Sequence, residues 1–508
     1  MITKLTTFLF KKRHYLRLFI RSVVYCAAFF LIFTAVWINQ NFGEPSLEQI
    51  LYHLQFGMNG LVDTDAGILR SFVRTCVYWP IGIALSLAFI ELVLGYFLVY
   101  RLKTHAVQRS KAGAIAERIG KIIYWLINHR APVYTFLAAC IYFGVQFSLL
   151  TYVHQKFGRD YFAEHYLNPS KVIITSTKPK NLVLIYVESL ENSYRDEHLF
   201  GRNLLKSVDK IGGVSFNSYR QAPGTGWTIA GITATNCGLP LKSVTLYDGN
   251  DQGSNIKAFL PKAVCLGDVL HNNGYRNVYI GGDALAFSGK GKFFQDHHFD
   301  EVYGREELKG TLTQEQMNYW GLYDDDLLVK VKAKLVSLHE QKQPFNLTFT
   351  TIDTHGPDGH FSPLCKKNGA KDFSDVVECT SNQVTDFVNF IKKKGYLKDT
   401  NVVILGDHLA MYNPVHEQLD SVKERHIYNQ FISLKKVSKT RDDVLHFDMY
   451  PTILEFIGFH VEGGKLGLGY TAITPNAPQP SPNQLNEMET DLLNESETYI
   501  DLWRSNEH

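Results

Sequence analysis

The stretch Asn401-Val402-Val403-Ile404-Leu405-Gly406-Asp407-His408 decides how this chain is read. An apolar, β-branched run that breaks at glycine has the form of a strand, and here it delivers a carboxylate and an imidazole at its carboxyl end. Upstream, Asn181-Leu182-Val183-Leu184-Ile185-Tyr186-Val187 has the same form and ends in Glu188. In open α/β sheets ligands bind outside the carboxyl ends of the strands, so Glu188, Asp407 and His408 are expected at one edge. Between the two runs lies Gly224-Thr225-Gly226-Trp227-Thr228, whose hydroxyls could complete a site of carboxylates, imidazole and hydroxyl. Such a set can bind one divalent cation and activate a nucleophile. Taken singly, an Asp at a strand end is a common turn former; order and context give these residues their meaning.

From about 180 to 460 short β-branched runs alternate with helical patterns: NLVLIYV, a helix near Thr228, YRNVYIGG, FNLTFTTID, NVVILGD and YNQFISL. This predicts an α/β domain with a mixed, mainly parallel sheet flanked by helices. Helices are expected over Tyr323 to His339, opened by Asp324-Asp325-Asp326 as helix-start charge, and over Ser381 to Lys394, with Ser381 as its cap. The Pro-rich Asn476 to Asn483 predicts the end of the compact fold, with 471–508 as an acidic helix or mobile tail.

Residues 1–155 differ in kind. Three apolar stretches of bilayer-spanning length, about 18–38, 76–100 and 133–153, predict a transmembrane domain, joined by a linker at 156–179 to a catalytic domain at 180–470. Lys4, Lys11, Lys12, Arg13, Arg17 and Arg21 precede the first span, and the loop 101–132 carries seven basic residues against Glu117. By the positive-inside bias both are cytoplasmic, so three spans leave the C-terminal domain outside. Leu47 to Leu61 is amphipathic enough to lie along the membrane surface. Glu91 interrupts the second span. An intramembrane carboxylate is a functional candidate, but with no second ionisable residue nearby in that span it reads better as a packing or positioning device.

Cys237, Cys265, Cys365 and Cys379 all follow the last span. An oxidising compartment favours two bridges, and sequence order suggests Cys237 with Cys265 and Cys365 with Cys379, among three pairings possible. Their spacing is not that of a zinc finger. A formal net charge of +2 with scattered basic residues argues against nucleic acid as a partner.

Tyr186-Val187-Glu188-Ser189-Leu190-Glu191, Gly224 to Gly231, Thr354-His355-Gly356-Pro357-Asp358-Gly359 and Gly406 to Met411 together resemble the sulfatase-like branch of the alkaline phosphatase superfamily. With Cys237-Gly238-Leu239-Pro240-Leu241 and Cys265-Leu266-Gly267-Asp268 added, the match over about 180–465 is similar to the phosphoglycerol transferases of osmoregulated periplasmic glucan synthesis. The resemblance implies that Glu188, Thr228, Asp407 and His408 surround one metal ion, manganese or zinc, with Thr228 as the nucleophile. It also implies a bacterial inner-membrane enzyme with a periplasmic catalytic domain, taking phosphatidylglycerol as donor and a periplasmic glucan as acceptor. A threonine hydroxyl is a poor nucleophile until a bound cation lowers its pKa, and the helix expected from Ile229 would aim its N-terminal amides at a phosphate.

Thr225, Thr233 and Thr235 are competing hydroxyls, and the alternative use of Thr228 is as a helix N-cap. His355, following the run Phe345 to Ile352, is expected to face the cleft as a substrate contact or general acid. His297, His298, His360, His416 and His446 read as loop-packing histidines. Asp283 and Lys290 occupy the region where lipoteichoic acid synthases place substrate contacts, although their Trp-x-Arg element is absent, and Trp227 could pack against a lipid glycerol or a sugar, or equally be a buried aromatic beside the site. Three other readings compete: a phosphoethanolamine transferase acting on lipid A or another envelope glycan, a hydrolase of the sulfatase or phosphodiesterase type, and a non-enzymatic envelope-binding protein on a decayed enzyme fold, which the competent residues at all four ligand positions disfavour. The Cys/Ser-x-Pro-x-Arg element required for formylglycine is missing.

Overall fold

The structure, a computed structural model, describes residues 12–42, 66–96, 130–176, 178–242 and 258–504, with isolated positions in 45–51 and 115–125. The expected surface helix at 47–61 and the basic loop 101–132 lie almost wholly outside the described residues. The chain divides into two compact units, 1–45 with 66–150, and 46–65 with 151–508.

In the first unit α1 (Lys12–Phe42) is one continuous helix. Next come α2 (Ala66–Phe72), a π-helical stretch (Val73–Tyr78) and α3 (Trp79–Tyr96). Tyr15–Phe42 and Leu69–Val93 are long and apolar enough to cross a membrane. The predicted third span is broken: α4 (Ala131–Gln146) and α5 (Leu149–Gln155) meet at a 60° bend. Ser148 sits there at φ 52°, a left-handed conformation that interrupts the helical hydrogen-bond ladder. Glu91 does have an ionisable partner, supplied by another helix. It is buried and accepts a hydrogen bond from Arg21 Nε at 3.1 Å, so the two charges satisfy each other in an apolar setting.

The second unit is built on a six-stranded sheet. Its strands in chain order are β1 (Asn181–Val187), β2 (Arg276–Gly281), β3 (Glu301–Tyr303), β4 (Phe345–Thr350), β5 (Thr400–Gly406) and β6 (Asn429–Ile432). The spatial order is β3-β2-β4-β1-β5-β6, parallel except for the antiparallel edge strand β6. The continuous apolar runs follow from burial on both faces. Leu182, Leu184 and Tyr186 of β1 enter one core cluster, while Val183, Ile185 and Val187 enter the other. Each is fully buried, contributing about 2 kcal/mol of hydrophobic stabilisation.

Helices α6 (Thr228–Cys237), α7 (Leu266–Asn272) and, later in the chain, Met449–Phe456 supply residues to the first cluster. Helices α8 (Asp324–Glu340) and α9 (Phe373–Lys394) supply the second. Helix α8 begins where the acidic run predicts. Helix α9 begins eight residues before the expected Ser381, because Asp372 accepts from Asp375 N at 2.9 Å and forms a capping box with it. Ser381 is a buried mid-helix residue. The C-terminal segment is helical, one of the two expected alternatives, but the compact fold does not end at the Pro-rich stretch. Two helices, Pro482–Asp491 and Glu497–Trp503, follow the Pro-rich stretch, and Met488, Leu492, Tyr499 and Leu502 are buried in the first core cluster. Cys237 is bonded to Cys265 and Cys365 to Cys379, the pairing that sequence order suggests.

Candidate active site

Parallel strands in register bring their carboxyl ends to one edge. Val187 pairs with Gly406, and Tyr186 pairs with both Thr350 and Leu405, so the residues that follow β1, β4 and β5 emerge side by side. Glu188 follows β1, the segment Thr351 to His355 follows β4, and Asp407-His408 follows β5. Helix α6 brings its first residue, Thr228, to the same place. Its close approach requires Gly231, where a Cβ would lie 2.0 Å from the carbonyl oxygen of Asp407.

Ligand atoms of Glu188, Asp407 and His408 all lie within 4.8 Å of one another, and all three residues are buried. His408 Nε2 is 3.4 Å from Glu188 Oε1 and 3.5 Å from Asp407 Oδ2. Thr228 Oγ1 donates to Glu188 Oε2 at 3.2 Å. Four donors held at about 2.0–2.2 Å around a tetrahedral ion would be about 3.3–3.6 Å apart, so these separations fit a divalent cation. Two further observations agree: Asp407 Oδ2 and His408 Nε2 are buried without a hydrogen-bond partner, and both belong to the converging set. His408 Nδ1 donates to the Leu409 carbonyl at 2.8 Å, which fixes the ring and leaves Nε2 for the centre.

The charges are strongly coupled. Burial pushes the Asp407 carboxyl up, and the neighbouring Glu188 charge pushes it further. Burial also opposes ionisation of Glu188, but His408 outweighs it and holds this carboxyl below the usual range. For His408 burial disfavours the cation, yet Asp407 and Glu188 overcome it and raise the imidazole to about 9. The pocket therefore favours positive charge between its two carboxylates.

The hydroxyls are now distinguishable. Thr225 is fully buried, with Oγ1 2.6 Å from the Ala222 carbonyl and 2.9 Å from His446 Nδ1. Thr235 is engaged with Tyr186, and Thr233 is fully buried. Thr228 is partly exposed. Nor does it cap its helix, since Trp227 occupies the N-cap in an extended conformation and the Thr228 hydroxyl points to Glu188.

Three residues considered for substrate contact, Trp227, Asp283 and Lys290, are all buried. Trp227 is buried in the core, in an extended conformation at the N-cap of α6. Lys290 and Asp283 are both buried and form an ion pair with each other. Burial disfavours the ammonium, but Asp283 outweighs it and keeps Lys290 protonated. Neither group is a free surface charge. His355 is half-buried beside the centre; Nδ1 donates to the Gly356 carbonyl at 2.7 Å, and the ring lies against Trp320 with centroids 4.5 Å apart.

Several supporting residues escape sequence reasoning. The Glu188 backbone is clamped by Thr351 and Thr354, through Glu188 N to Thr351 Oγ1 at 3.1 Å and Thr354 Oγ1 to Glu188 O at 2.6 Å. Gln221 Oε1 accepts from Leu409 N at 2.9 Å. His446 joins the two halves of the site: Nε2 donates to the Asp407 carbonyl at 2.8 Å while Nδ1 meets Thr225. Burial lowers its pKa to about 3, so it is a neutral strut. The cluster Cys237, Cys265 and His297 also has metal-like proximity, but its two sulfurs are bonded to each other.

Fold and site together define an α/β protein with a carboxylate–imidazole–threonine centre at the carboxyl edge of a parallel sheet, preceded in the chain by apolar helices of membrane-spanning length. The chain belongs to the sulfatase family, whose model, described as Sulfatase, matches residues 180–459, more than half of its length. Phosphoglycerol transferase I of Shigella flexneri is 36% identical over 324 residues, covering 62% of this chain and 41% of that protein. The corresponding protein of Escherichia coli (strain 55989 / EAEC) is 38% identical over 324 residues, covering 62% and 41%. The chain thus spans less than half the length of these curated relatives. Among solved structures, the lipoteichoic acid synthase LtaP of Listeria monocytogenes is similar with a TM-score of 0.48 and 14% identity, covering 66% of this chain and 97% of that one.

Proposed function

We propose that this chain is a membrane-anchored phosphoglycerol transferase that moves a phosphoglycerol group from phosphatidylglycerol to a glucan through a covalent intermediate on Thr228. The observation that carries the reading is a partly exposed hydroxyl, Thr228 Oγ1, 3.2 Å from a buried carboxylate within a cation-sized cluster. The relatives named phosphoglycerol transferase I support the choice of transferred group.

Glu188, Asp407 and His408, with Thr228, are the residues that would hold a divalent metal ion, manganese or zinc. Such an ion supplies Lewis-acid stabilisation and lowers the pKa of a hydroxyl in its reach. Thr228 gives its proton toward Glu188 Oε2 and turns its lone pair outward to the phosphorus of the lipid. The amides of the first turn of α6, which lack intrahelical partners, receive the developing charge on the phosphoryl oxygens. As the Thr228 Oγ1–P bond forms, the bond from phosphorus to the diacylglycerol oxygen breaks, and His355 Nε2 delivers a proton to that oxygen. A glucose hydroxyl of the acceptor then attacks the phosphorus and gives its proton to His355 Nε2, the Thr228 Oγ1–P bond breaks, Oγ1 takes its proton back from Glu188, and the phosphoglycerol group leaves on the glucan. The apolar helices hold the domain beside a donor that stays in the bilayer, which raises its effective concentration. The domain is read as periplasmic, with the N-terminus cytoplasmic, on the basic residues flanking the spans.

The test supplies purified full-length protein with labelled phosphatidylglycerol or phosphatidylethanolamine, and measures diacylglycerol release and protein-bound label. Release from phosphatidylglycerol with label on Thr228 is expected, and Thr228→Ala should lose both while retaining its thermal transition. Release from phosphatidylethanolamine alone, or label on Thr225 or Thr233, would overturn the reading. Release of free glycerol phosphate at the same rate with and without a glucan would identify a hydrolase instead.

A further inference from the structure

Ser189 follows Glu188 directly, is buried and has φ 54°. A non-glycine residue pays about 1–2 kcal/mol to enter the left-handed region, and such strain persists where the surroundings demand it. Here the demand is visible. The Ser189 hydroxyl donates to Glu188 Oε1 at 2.7 Å, and its backbone N–H donates to Asp407 Oδ1 at 2.8 Å. One residue therefore holds an oxygen of each carboxylate in the centre.

Those two hydrogen bonds set how each carboxylate is turned. Asp407 Oδ1 also accepts from His408 N at 3.0 Å, leaving Oδ2 as the atom that faces His408 Nε2. Glu188 Oε1, held by the serine, lies 3.4 Å from His408 Nε2, while Oε2 meets the Thr228 hydroxyl. The turn is locked from behind, since a Cβ on Gly406 would lie 2.0 Å from the Leu190 carbonyl oxygen. A glycine could adopt the same backbone without strain, but it has no hydroxyl. Ser189 is also unsuited to be a nucleophile, being 5% exposed with its proton on Glu188.

We propose that Ser189 is a positioning residue whose side chain and backbone orient Glu188 and Asp407 for a divalent cation. The inference rests on the metal-centre reading above. Outer hydrogen bonds of this kind typically account for 10–100-fold in metal affinity. Ser189→Gly and Ser189→Ala both remove the hydroxyl, but glycine relieves the backbone strain while alanine keeps it. Full-length protein in detergent is titrated with Zn2+ or Mn2+ against a chelator of known affinity, and thermal transitions are recorded for the metal-free samples. The Mn2+ electron paramagnetic resonance spectrum is recorded alongside.

Both variants are expected to bind the ion 10–100-fold more weakly with an altered Mn2+ spectrum, and Ser189→Gly should melt at or above the wild-type temperature. That separation of affinity from stability is what a purely structural turn residue would not produce. Wild-type affinity and spectrum in Ser189→Gly would overturn this inference alone. A wild-type protein that takes up neither ion would overturn the metal-centre reading, and this inference with it.

Discussion

Gly231→Ala tests whether the threonine helix and the Asp407 strand end are locked to each other. A Cβ at this position would lie 2.0 Å from the Asp407 carbonyl oxygen and 2.9 Å from its carbon. Carbon–oxygen contacts much below about 3 Å do not occur in packed interiors, so the two backbones must separate by about 1 Å. No side-chain rotation relieves the overlap, because both partners are main chain. Thr228 lies one helical turn before Gly231 and moves with it, away from Glu188 Oε2. A displacement of this size at a reacting group costs about 100-fold in rate, about 2.7 kcal/mol at the transition state. Stability changes less: overpacking costs about 1–3 kcal/mol, and about 1 kcal/mol returns because alanine is the better helix former. Initial rates of diacylglycerol release would be measured together with the thermal transition. Gly310→Ala serves as control, since nothing lies within 4 Å of a Cβ there. Gly231→Ala with wild-type rate would refute the claim that this backbone contact sets the position of the nucleophile.

Replacing both Cys365 and Cys379 by alanine opens a bridge spanning 14 residues and should lower stability by about 3 kcal/mol, read as a fall in melting temperature that reductant reproduces in the wild type. Arg425→Met leaves the buried Glu191 charge without the guanidinium that donates to it at 3.0 Å, and should cost about 3 kcal/mol; a melting temperature within a degree of wild type would contradict this. Burial holds the His360 imidazole down at about 3, so the folded chain refuses a proton that the unfolded chain accepts below about pH 6.5. Its contribution to stability is present above that pH and fades as pH falls toward 3, at up to about 1.4 kcal/mol per pH unit. His360→Phe should flatten the pH dependence of melting between pH 6.5 and 5; an unchanged slope would contradict the assignment.

The candidate site was legible to the extent that backbone pattern determines position. Buried parallel strands must be apolar throughout, so the first polar residue after each run marks the carboxyl edge; Glu188 and Asp407-His408 are found this way. Helix α9 was misplaced because Ser381 looks like a cap, whereas the capping box at Asp372 and Asp375 satisfies the helix start eight residues earlier. Trp227 takes the alternative of a buried aromatic beside the site, and Asp283 and Lys290, considered for substrate contact, are buried and paired with each other. Residue type gives a side chain's chemistry, while the direction it takes depends on the backbone angle at that one residue and on the neighbour that captures it.

By itself the sequence determined the α/β class, the apolar helices ahead of the domain, the family membership and the residues that converge at the sheet edge. All of these are carried by periodicity, punctuation and residue order along the chain. Only the tertiary structure decided which threonine is reachable, how the two carboxylates are turned toward His408 and Thr228, and that Ser189 and His446 hold the two halves of the site together. Those outcomes depend on contacts between residues some 40 to 220 positions apart, such as Thr228 with Glu188 and His446 with Thr225. Hydrogen-bond geometry within a few tenths of an ångström is set by packing of the whole domain rather than by any local run of residues.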